Sequence, residues 1–234
     1  MNRWAVLFGA LAAVLAAQAA LVTMTAAQIA AGWCALAALW IAVAYALGRP
    51  RWFGKRDDGR LAPWALLVLA PYVGLNHLVL RLARRPRPLD EIAPGLFLGP
   101  LPFASDREAF AAAGIRAVLD LTAEFGETDF ARTLPAYRVV PLLDATAPSA
   151  AQFEDAVAWC TARLAEGPVY VHCAAGRGRS AIVVAAVLIA LGHADSADAA
   201  NARVRERRPS VHPNAEQRTA LHAWVSRRRA TRSD

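Results

Sequence analysis

Charged residues are missing from a long stretch near the start of this chain. No aspartate, glutamate, lysine or arginine occurs between Arg3 and Arg49, a run of 45 residues. At about 1.5 Å per helical residue, this length is enough for two crossings of a hydrocarbon layer about 30 Å thick. Hydrophobic residues make up 56% of the chain, whereas about 45–50% is usual for soluble proteins. We therefore expect residues 1–85 to form an α-helical membrane region of two or three hydrophobic helices.

Cysteine and lysine are also scarce. The three cysteines, Cys34, Cys160 and Cys173, do not form a disulfide framework, which indicates a reducing compartment. Lys55 is the only lysine, so the net charge of +7 comes from arginine. No nucleic-acid-binding motif or aromatic stacking platform accompanies the arginines. The late basic clusters fit a solvated helix face or attraction to anionic membrane lipids; they comprise Arg203, Arg205, Arg207, Arg208, Arg227, Arg228 and Arg229.

A third apolar stretch runs from Leu61 to Leu80, but prolines and the polar pair Asn76-His77 interrupt it. It could be a third transmembrane helix, or a bent segment that enters the membrane and returns. Basic residues flank it on both sides, and the positive-inside rule places both clusters in the cytoplasm. This favours a helical hairpin, which reverses within Thr23–Gln28, followed by a bent segment. The clusters comprise Arg49, Arg51, Lys55, Arg56 and Arg60 before it, and Arg81, Arg84, Arg85 and Arg87 after it.

The first residues also resemble a signal peptide, because Arg3 precedes an apolar run and a tract of small residues, 16–19. The apolar run continues without a break into a second segment of membrane-spanning length. That continuity favours an uncleaved membrane anchor and an integral membrane protein.

The segment from Val169 to Leu191 contains a strand, a loop of small residues and a helix. The apolar run Pro168–Val171 predicts a short buried strand, and Ala181–Leu191 is too long for a strand and apolar on every side, which predicts a buried helix. A small-residue loop between a strand and a helix N-terminus is suited to anion binding, because backbone N–H groups and the helix dipole converge there. The loop begins at Cys173 and ends at Arg179.

The residue types in this loop suit cleavage of a phosphate ester by a cysteine nucleophile. Nearby N–H groups and cations lower the pKa of reactive cysteines by roughly 1–5 units, which would make Cys173 a thiolate. Arg179 can hold two phosphoryl oxygens with its planar guanidinium, and Ser180 can donate a hydrogen bond to the sulfur. His172 is expected to order the loop, and the phosphate-binding positions are Ala174, Ala175, Gly176, Arg177, Gly178 and Arg179. The alternative is a buried structural cysteine in a strand-to-helix turn.

The pair His172-Cys173, five intervening residues and Arg179-Ser180 resemble the signature of cysteine-dependent protein tyrosine phosphatases, particularly the dual-specificity class. The similarity extends from Leu89 to Trp224, and Glu91–Gly99 resembles the opening strand of that class. The Gly-x-Gly form with Arg177 is similar to branches that act on lipids and inositol phosphates. Those branches often carry lysines in the loop, from which Ala174 and Ala175 depart.

The resemblance also implies a general acid, an aspartate on a loop before the cysteine. Asp144 fits, because it ends the apolar strand Tyr137–Leu143 and opens a small loop. Asp129 and Glu127 are weaker candidates in another loop. Asp120 lies at a strand end, where a cap or turn role is expected.

The predicted fold class of residues 86–234 is α/β, with a central, mostly parallel sheet flanked by helices, after a linker that begins at Pro86-Arg87-Pro88. The loop that begins at Cys173 then lies at a strand's carboxyl end, where such sheets bind ligands. The predicted strands are Leu96–Leu98, Ala117–Leu121, Tyr137–Leu143 and Val169–His172, and the predicted helices are Ser105–Ala113, Ala150–Ala165, Arg179–Leu191, Ser196–Arg207 and Asn214–Arg229.

The sequence thus predicts a membrane-anchored, cytoplasm-facing phosphatase that forms a phosphocysteine intermediate. A dual-specificity protein phosphatase is favoured; a phosphatase of lipids or inositol phosphates and a non-catalytic phosphate-binding pseudophosphatase are the alternatives. The resemblance implies catalysis without a cofactor, and the five histidines show no metal-ligand spacing. Cys160 is expected to fill space in a helix, or alternatively to act as a resolving thiol under oxidation.

Overall fold

The computed structural model describes residues 3–21, 25–83 and 88–233. The chain divides into two compact units. The N-terminal unit comprises residues 1–56, 60–84 and 123–126, and the second unit comprises residues 57–59, 85–122 and 127–234. Thr23, the basic residues Arg84, Arg85 and Arg87, and the linker residue Pro86 lie outside the described residues.

The N-terminal unit is helical. Its helices are α1 (Arg3–Leu21), α2 (Thr25–Ala46), α3 (Pro63–Val68) and α4 (Ala70–Leu82), with a 3₁₀ turn at Pro50–Phe53. Helix α2 already begins at Thr25, so the predicted reversal is wrong for Thr25–Gln28, which are helical. The third apolar stretch is divided at Leu69, which ends α3 and precedes α4. Pro71 near the start of α4 has no N–H to donate, which suits the first turn of a helix.

Many large apolar side chains of the N-terminal unit are exposed. Among the described residues, Ala26–Ala46 is long and apolar enough to cross a membrane, a criterion that a signal sequence or the core helix of a soluble protein also meets. The exposed side chains include Leu7 and Val14 on α1, Ile29 and Leu39 on α2, and Leu75, Leu78 and Leu82 on α4.

Lys55 lies inside the N-terminal unit, not at its surface. It is 4% exposed, and its Nζ donates a hydrogen bond to the carbonyl oxygen of Phe125. The ring of His77 packs against the ring of Phe125, with 4.8 Å between their centroids. Because Lys55 is buried, it does not belong to the basic surface cluster that the sequence predicts before the third apolar stretch.

The second unit contains a five-stranded sheet in the order β1-β2-β5-β3-β4, with strands β1 (Asp90–Ala93), β2 (Leu96–Gly99), β3 (Ala117–Thr122), β4 (Ala136–Leu142) and β5 (Val169–His172). Strand β1 pairs antiparallel with β2, and the remaining neighbours are parallel. The predicted α/β class with a mostly parallel sheet is therefore confirmed.

Helices cover both faces of this sheet. They are α5 (Arg107–Ala112), α6 (Asp129–Arg132), α7 (Ala150–Leu164), α8 (Arg179–Ala190), α9 (Ala197–Arg207) and α10 (Ala215–Ser233). Alternate residues of the central strands face two separate hydrophobic clusters. Leu119 and Val171 belong to a large core with residues of α7 to α10, and Val118 and Tyr170 belong to a smaller one with α5 and α6.

The start of the second unit differs from the sequence prediction. The resemblance treats Glu91–Gly99 as a single opening strand, but in the structure this segment contributes to two strands, β1 and β2. A turn joins them, and Gly95 in that turn has a φ of +74°. Such a left-handed conformation suits glycine. The predicted helix Ser105–Ala113 is likewise split into a 3₁₀ turn at Ala104–Asp106 and α5.

Candidate active site

The cysteine-containing loop connects the carboxyl end of β5 to the N-terminus of α8. We call Cys173–Arg179 the phosphate loop. Strand β5 pairs in parallel with β2 and β3, and all four of its residues are buried. Helix α8 is buried from Arg179 to Leu188. Because both flanking elements are fixed in the core, the position of the loop between them is fixed as well.

Hydrogen bonds from distant segments hold the backbone of the phosphate loop. The N–H of Leu101 donates to the carbonyl of Ala174 (3.0 Å), and the N–H of His212 donates to the carbonyl of Arg177 (3.0 Å). Gly176 has a φ of +65°, and a β-carbon there would lie 2.4 Å from the carbonyl atoms of Gly99. Only glycine fits this position.

Arg208 also supports this loop. Its Nε donates to the carbonyl of Gly176 (2.9 Å), and its Nη1 lies 2.6 Å from the Asp90 carboxylate. Arg208 is 6% exposed, so the prediction that it lies on a solvated face or attracts lipid headgroups is wrong. Sequence reasoning missed it because a run of arginines does not distinguish a buried member from its exposed neighbours.

The thiol of Cys173 is buried beside two groups that stabilise its charged form. Burial alone raises the pKa of Cys173, but the charge of Arg179 and the hydrogen bonds of Ser180 lower it, and the net pKa is below that of an ordinary cysteine. The Cys173 Sγ lies 3.2 Å from Ser180 Oγ. Asp144 opposes this effect through its negative charge. The arrangement therefore favours the thiolate more than the surroundings of an ordinary cysteine do.

Backbone carbonyls and a carboxylate hold the guanidinium of Arg179. Its Nη1 donates to the carbonyl of Leu142 (2.8 Å), and its Nη2 lies 2.9 Å from Asp144 Oδ1. Arg179 is 1% exposed, while the side chain of Asp144 is 58% exposed. A buried arginine fixed by carbonyls presents its remaining N–H groups in one orientation, as recognition of an oxyanion requires.

Among the four acidic candidates, Asp144 lies against Arg179 in the structure. We call Asp144–Pro148 the acid loop; it follows β4. Asp129 is 88% exposed and pairs with Arg132 on α6. Asp120 accepts hydrogen bonds from the N–H (2.8 Å) and hydroxyl (2.7 Å) of Thr122, which is the turn role expected from the sequence.

Glu127 lies behind the phosphate loop, against His172. The His172 Nε2 is 2.8 Å from Glu127 Oε2 and 3.8 Å from Asp120 Oδ1. Its Nδ1 is 3.4 Å from the carbonyl oxygen of Cys173, so the imidazole joins the loop backbone to a buried carboxylate. Sequence reasoning did not find this role for Glu127.

The side chains of Asp120, Glu127 and His172 offer three donor atoms within 4.8 Å of one another, a group that could hold a metal ion. Protein donors already engage both carboxylates. The hydroxyl of Tyr137 donates to Asp120 (2.6 Å), and the N–H of Thr128 donates to Glu127 (2.6 Å). Burial first, and then the neighbouring carboxylate of Asp120, raise the pKa of Tyr137, so it remains a proton donor. The absence of a metal cofactor stays a prediction of the sequence.

Cys160 is fully buried on α7 within the large core. Burial raises the pKa of its thiol, which keeps it protonated. This environment suits a space-filling residue and disfavours the alternative of a resolving thiol, which requires access and thiolate character.

The sequence of this chain is similar to those of dual specificity phosphatases. The model of the dual specificity phosphatase catalytic domain matches residues 96–227. Dual specificity protein phosphatase 2 of Mus musculus is 34% identical over 126 residues, which are 53% of this chain. The aligned region spans 39% of that relative's length.

Solved structures share the fold of the second unit. Human DUSP28 is 28% identical, with a TM-score of 0.54, and the match covers 62% of this chain and 97% of that one. A mouse putative dual specificity phosphatase, complexed with zinc tungstate, is 28% identical, with a TM-score of 0.56 and coverage of 64% and 93%. With a family model matched over more than half of its length, the chain belongs to the dual specificity phosphatase family.

Proposed function

We propose that this protein hydrolyses phosphomonoesters through a phosphocysteine intermediate. The Cys173 thiolate attacks phosphorus, and the bond to the leaving oxygen breaks as Asp144 gives that oxygen a proton. In the second step Asp144 takes a proton from water, whose oxygen attacks phosphorus and releases phosphate and the thiolate. Arg179 and the N–H groups of the phosphate loop hold the phosphoryl oxygens in both steps. Ser180 stabilises the departing thiolate.

One observation carries this proposal: buried Arg179 adjoins both a thiol of lowered pKa and an exposed carboxylate. A nucleophile, an oxyanion ligand and a proton donor thus converge around Arg179. The mouse relative was solved as a complex with zinc tungstate, and tungstate is a tetrahedral oxyanion like phosphate. That complex also supports a phosphate ligand here.

A dual-specificity protein phosphatase is the substrate class that we favour, because the family match and the curated relative both point to it. A lipid or inositol phosphate phosphatase is the alternative that the apolar N-terminal unit and Arg177 in the phosphate loop support. The complete set of Cys173, Arg179 and Asp144 argues against a non-catalytic pseudophosphatase.

The substrate experiment uses the full-length protein in detergent micelles. Phosphate release is measured from phosphotyrosine peptides, phosphoserine peptides, and phosphoinositides in mixed micelles. We expect turnover of both peptide types, with tyrosine phosphate at least as fast as serine phosphate. Turnover confined to the lipids would assign the enzyme to the alternative class. No turnover of any of them, with phosphate analogues still bound, would indicate a pseudophosphatase.

We further propose that residues 1–85 anchor the chain in a membrane and that the catalytic domain, residues 86–234, faces the cytoplasm. The exposed apolar side chains of α1, α2 and α4 and the basic residues around α4 support this arrangement. A reporter fused after the last residue should be active only in the cytoplasm. Activity only on the other side would overturn the topology, and a fully soluble fusion would overturn the anchor.

A further inference from the structure

The acid loop has a backbone conformation that needs outside support. Ala145, directly after Asp144, has a φ of +58°, a left-handed conformation that costs a non-glycine residue about 1–2 kcal/mol. Within the loop, the N–H and hydroxyl of Thr146 donate to the carbonyl of Leu143 (3.2 and 2.9 Å). Strain of this kind persists only where neighbouring structure determines the conformation.

The support comes from the beginning of α10, far away in the sequence. Nδ2 of Asn214 donates to the carbonyl of Ala145 (2.7 Å), and Nε2 of Gln217 donates to the carbonyl of Thr146 (3.1 Å). The N–H of Ala147 donates to Glu216 Oε1 (3.3 Å). Three consecutive residues of the acid loop, beginning at the strained one, are therefore held by the first turn of one helix.

The side-chain amides of Asn214 and Gln217 also cap the N-terminus of α10, and this capping fixes the orientation of both amides. The N–H of Gln217 donates to Asn214 Oδ1 (2.9 Å), and the N–H of Asn214 donates to Gln217 Oε1 (3.0 Å). Because both amide oxygens accept from backbone N–H groups, both NH₂ groups must point the other way, toward the acid loop. The capping pair thus serves as a clamp on the loop.

Gln217 connects this clamp to the phosphate loop. It is 2% exposed, and a β-carbon at Gly178 would lie 2.7 Å from Gln217 Oε1. Only a glycine at Gly178 lets the glutamine amide come this close to the backbone. Gln217 therefore hydrogen-bonds to the acid loop and packs against the phosphate loop.

We propose that Asn214 is a positioning residue for the general acid: its bond to the Ala145 carbonyl holds Asp144 where it protonates the leaving oxygen. This inference rests on the proposed function, and specifically on Asp144 as the acid. Asn214 acts through the backbone of Ala145. Its loss should therefore reduce proton transfer while the attack of Cys173 and the binding by Arg179 continue.

The variant Asn214→Asp separates the two roles of the side chain. An aspartate keeps an oxygen to accept the N–H of Gln217, and aspartate is a good helix N-cap. It replaces the Nδ2 donor with an oxygen, which repels the carbonyl of Ala145. Since small misplacements of a catalytic group can cost up to about a hundredfold in rate, we expect a loss of about tenfold with a poor leaving group.

The measurement is single-turnover phosphorylation of Cys173 in the full-length protein, with an alkyl phosphate and an activated aryl phosphate. We expect the aryl reaction to stay within about twofold of wild type and the Tm to stay within about 2 °C. The matched control is Ser226→Asp, at an exposed position farther along α10, which adds the same charge and should change neither reaction. If Asn214→Asp lowers the Tm further, Asn214→Ser decides, because its hydroxyl can cap the helix but is too short to reach the loop.

A double-mutant cycle with Asp144→Asn completes the test. Once the acid is absent, Asn214→Asp should cause no further loss with either substrate. Equal losses with both leaving groups, or a loss that persists in the Asp144→Asn background, would overturn the role of Asn214 and leave the proposed reaction intact. If Asp144→Asn itself showed no dependence on the leaving group, the acid assignment and this inference would both be wrong.

Discussion

The phosphate loop and the acid loop both follow parallel strands of the same sheet, yet the protein holds them in different ways. The phosphate loop lies between a buried strand and a buried helix, and its cysteine, its arginine and Ser180 are all buried. The acid loop carries an exposed aspartate next to a strained alanine, held by hydrogen bonds from α10. In the reaction that we propose, the nucleophile thus has a fixed environment, while the proton donor stays accessible to differing leaving groups.

The largest expected effect tests the fixed loop. Cys173→Ser should reduce turnover at least about a thousandfold, because a serine hydroxyl in the same place does not ionise near neutral pH. Binding of tungstate or phosphate should remain, since Arg179 and the loop N–H groups are unchanged. Steady-state rates and calorimetric titration with tungstate measure the two effects. A serine variant that retained more than about a tenth of the rate would exclude Cys173 as the nucleophile.

Arg179→Lys tests whether the shape of the guanidinium matters in addition to its charge. Lysine cannot bond two phosphoryl oxygens in one plane, nor can it reach both Leu142 and Asp144 as Arg179 does. We expect a loss of about 2–4 kcal/mol in transition-state stabilisation, by analogy with the removal of one oxyanion donor. The ratio of kcat/KM values gives this quantity, and a variant within about threefold of wild type would contradict it.

Asp144→Asn probes the acid loop, and its effect should depend on the substrate. Alkyl and serine phosphates should react about a hundredfold more slowly, at the lower end of the range for general acids. Activated aryl phosphates should be affected much less, because their leaving oxygen needs no proton. Equal losses for good and poor leaving groups in the single-turnover reaction would reject Asp144.

Ser180→Ala should have the smallest effect of these substitutions. We expect it to change the pH dependence of Cys173 reactivity. The hydroxyl of Ser180 stabilises the charged sulfur, so its removal should raise the pKa of Cys173. Alkylation by iodoacetate should then require higher pH, because the thiolate exists only above the raised pKa. The Cys173→Ser protein provides the baseline for the other thiols. A midpoint unchanged or shifted to lower pH would contradict this role.

Local sequence was enough to predict the phosphate loop. Strand β5 before His172 and helix α8 after Ser180 are apolar, so their burial follows from composition. The cysteine, arginine and serine that lie between these apolar runs suit anion chemistry. The central parallel strands were predicted for the same reason. Strand β1 was missed because it is four residues long and begins with Asp90 and Glu91, residue types that are uncommon in strands.

The supports of the site could not be predicted in this way. Arg208, Asn214 and Gln217 contact the two loops only because the chain folds back after α9. Nothing in the local pattern distinguishes Arg208 from the exposed arginines beside it, or Asn214 from an ordinary helix cap. The burial of Glu127 against His172 likewise depends on how its loop returns to β5.

The bond network of Arg208 has a practical consequence for dissecting this protein. The guanidinium joins the carbonyl of Gly176 to the carboxylate of Asp90, whereas the family match begins only at residue 96. A fragment trimmed to the matched range would therefore remove the counterion of Arg208 along with β1. If such a fragment were inactive, the cause would be the loss of Asp90 and β1 rather than the loss of the membrane anchor. Truncations meant to separate catalysis from the anchor should accordingly keep Asp90 and everything after it.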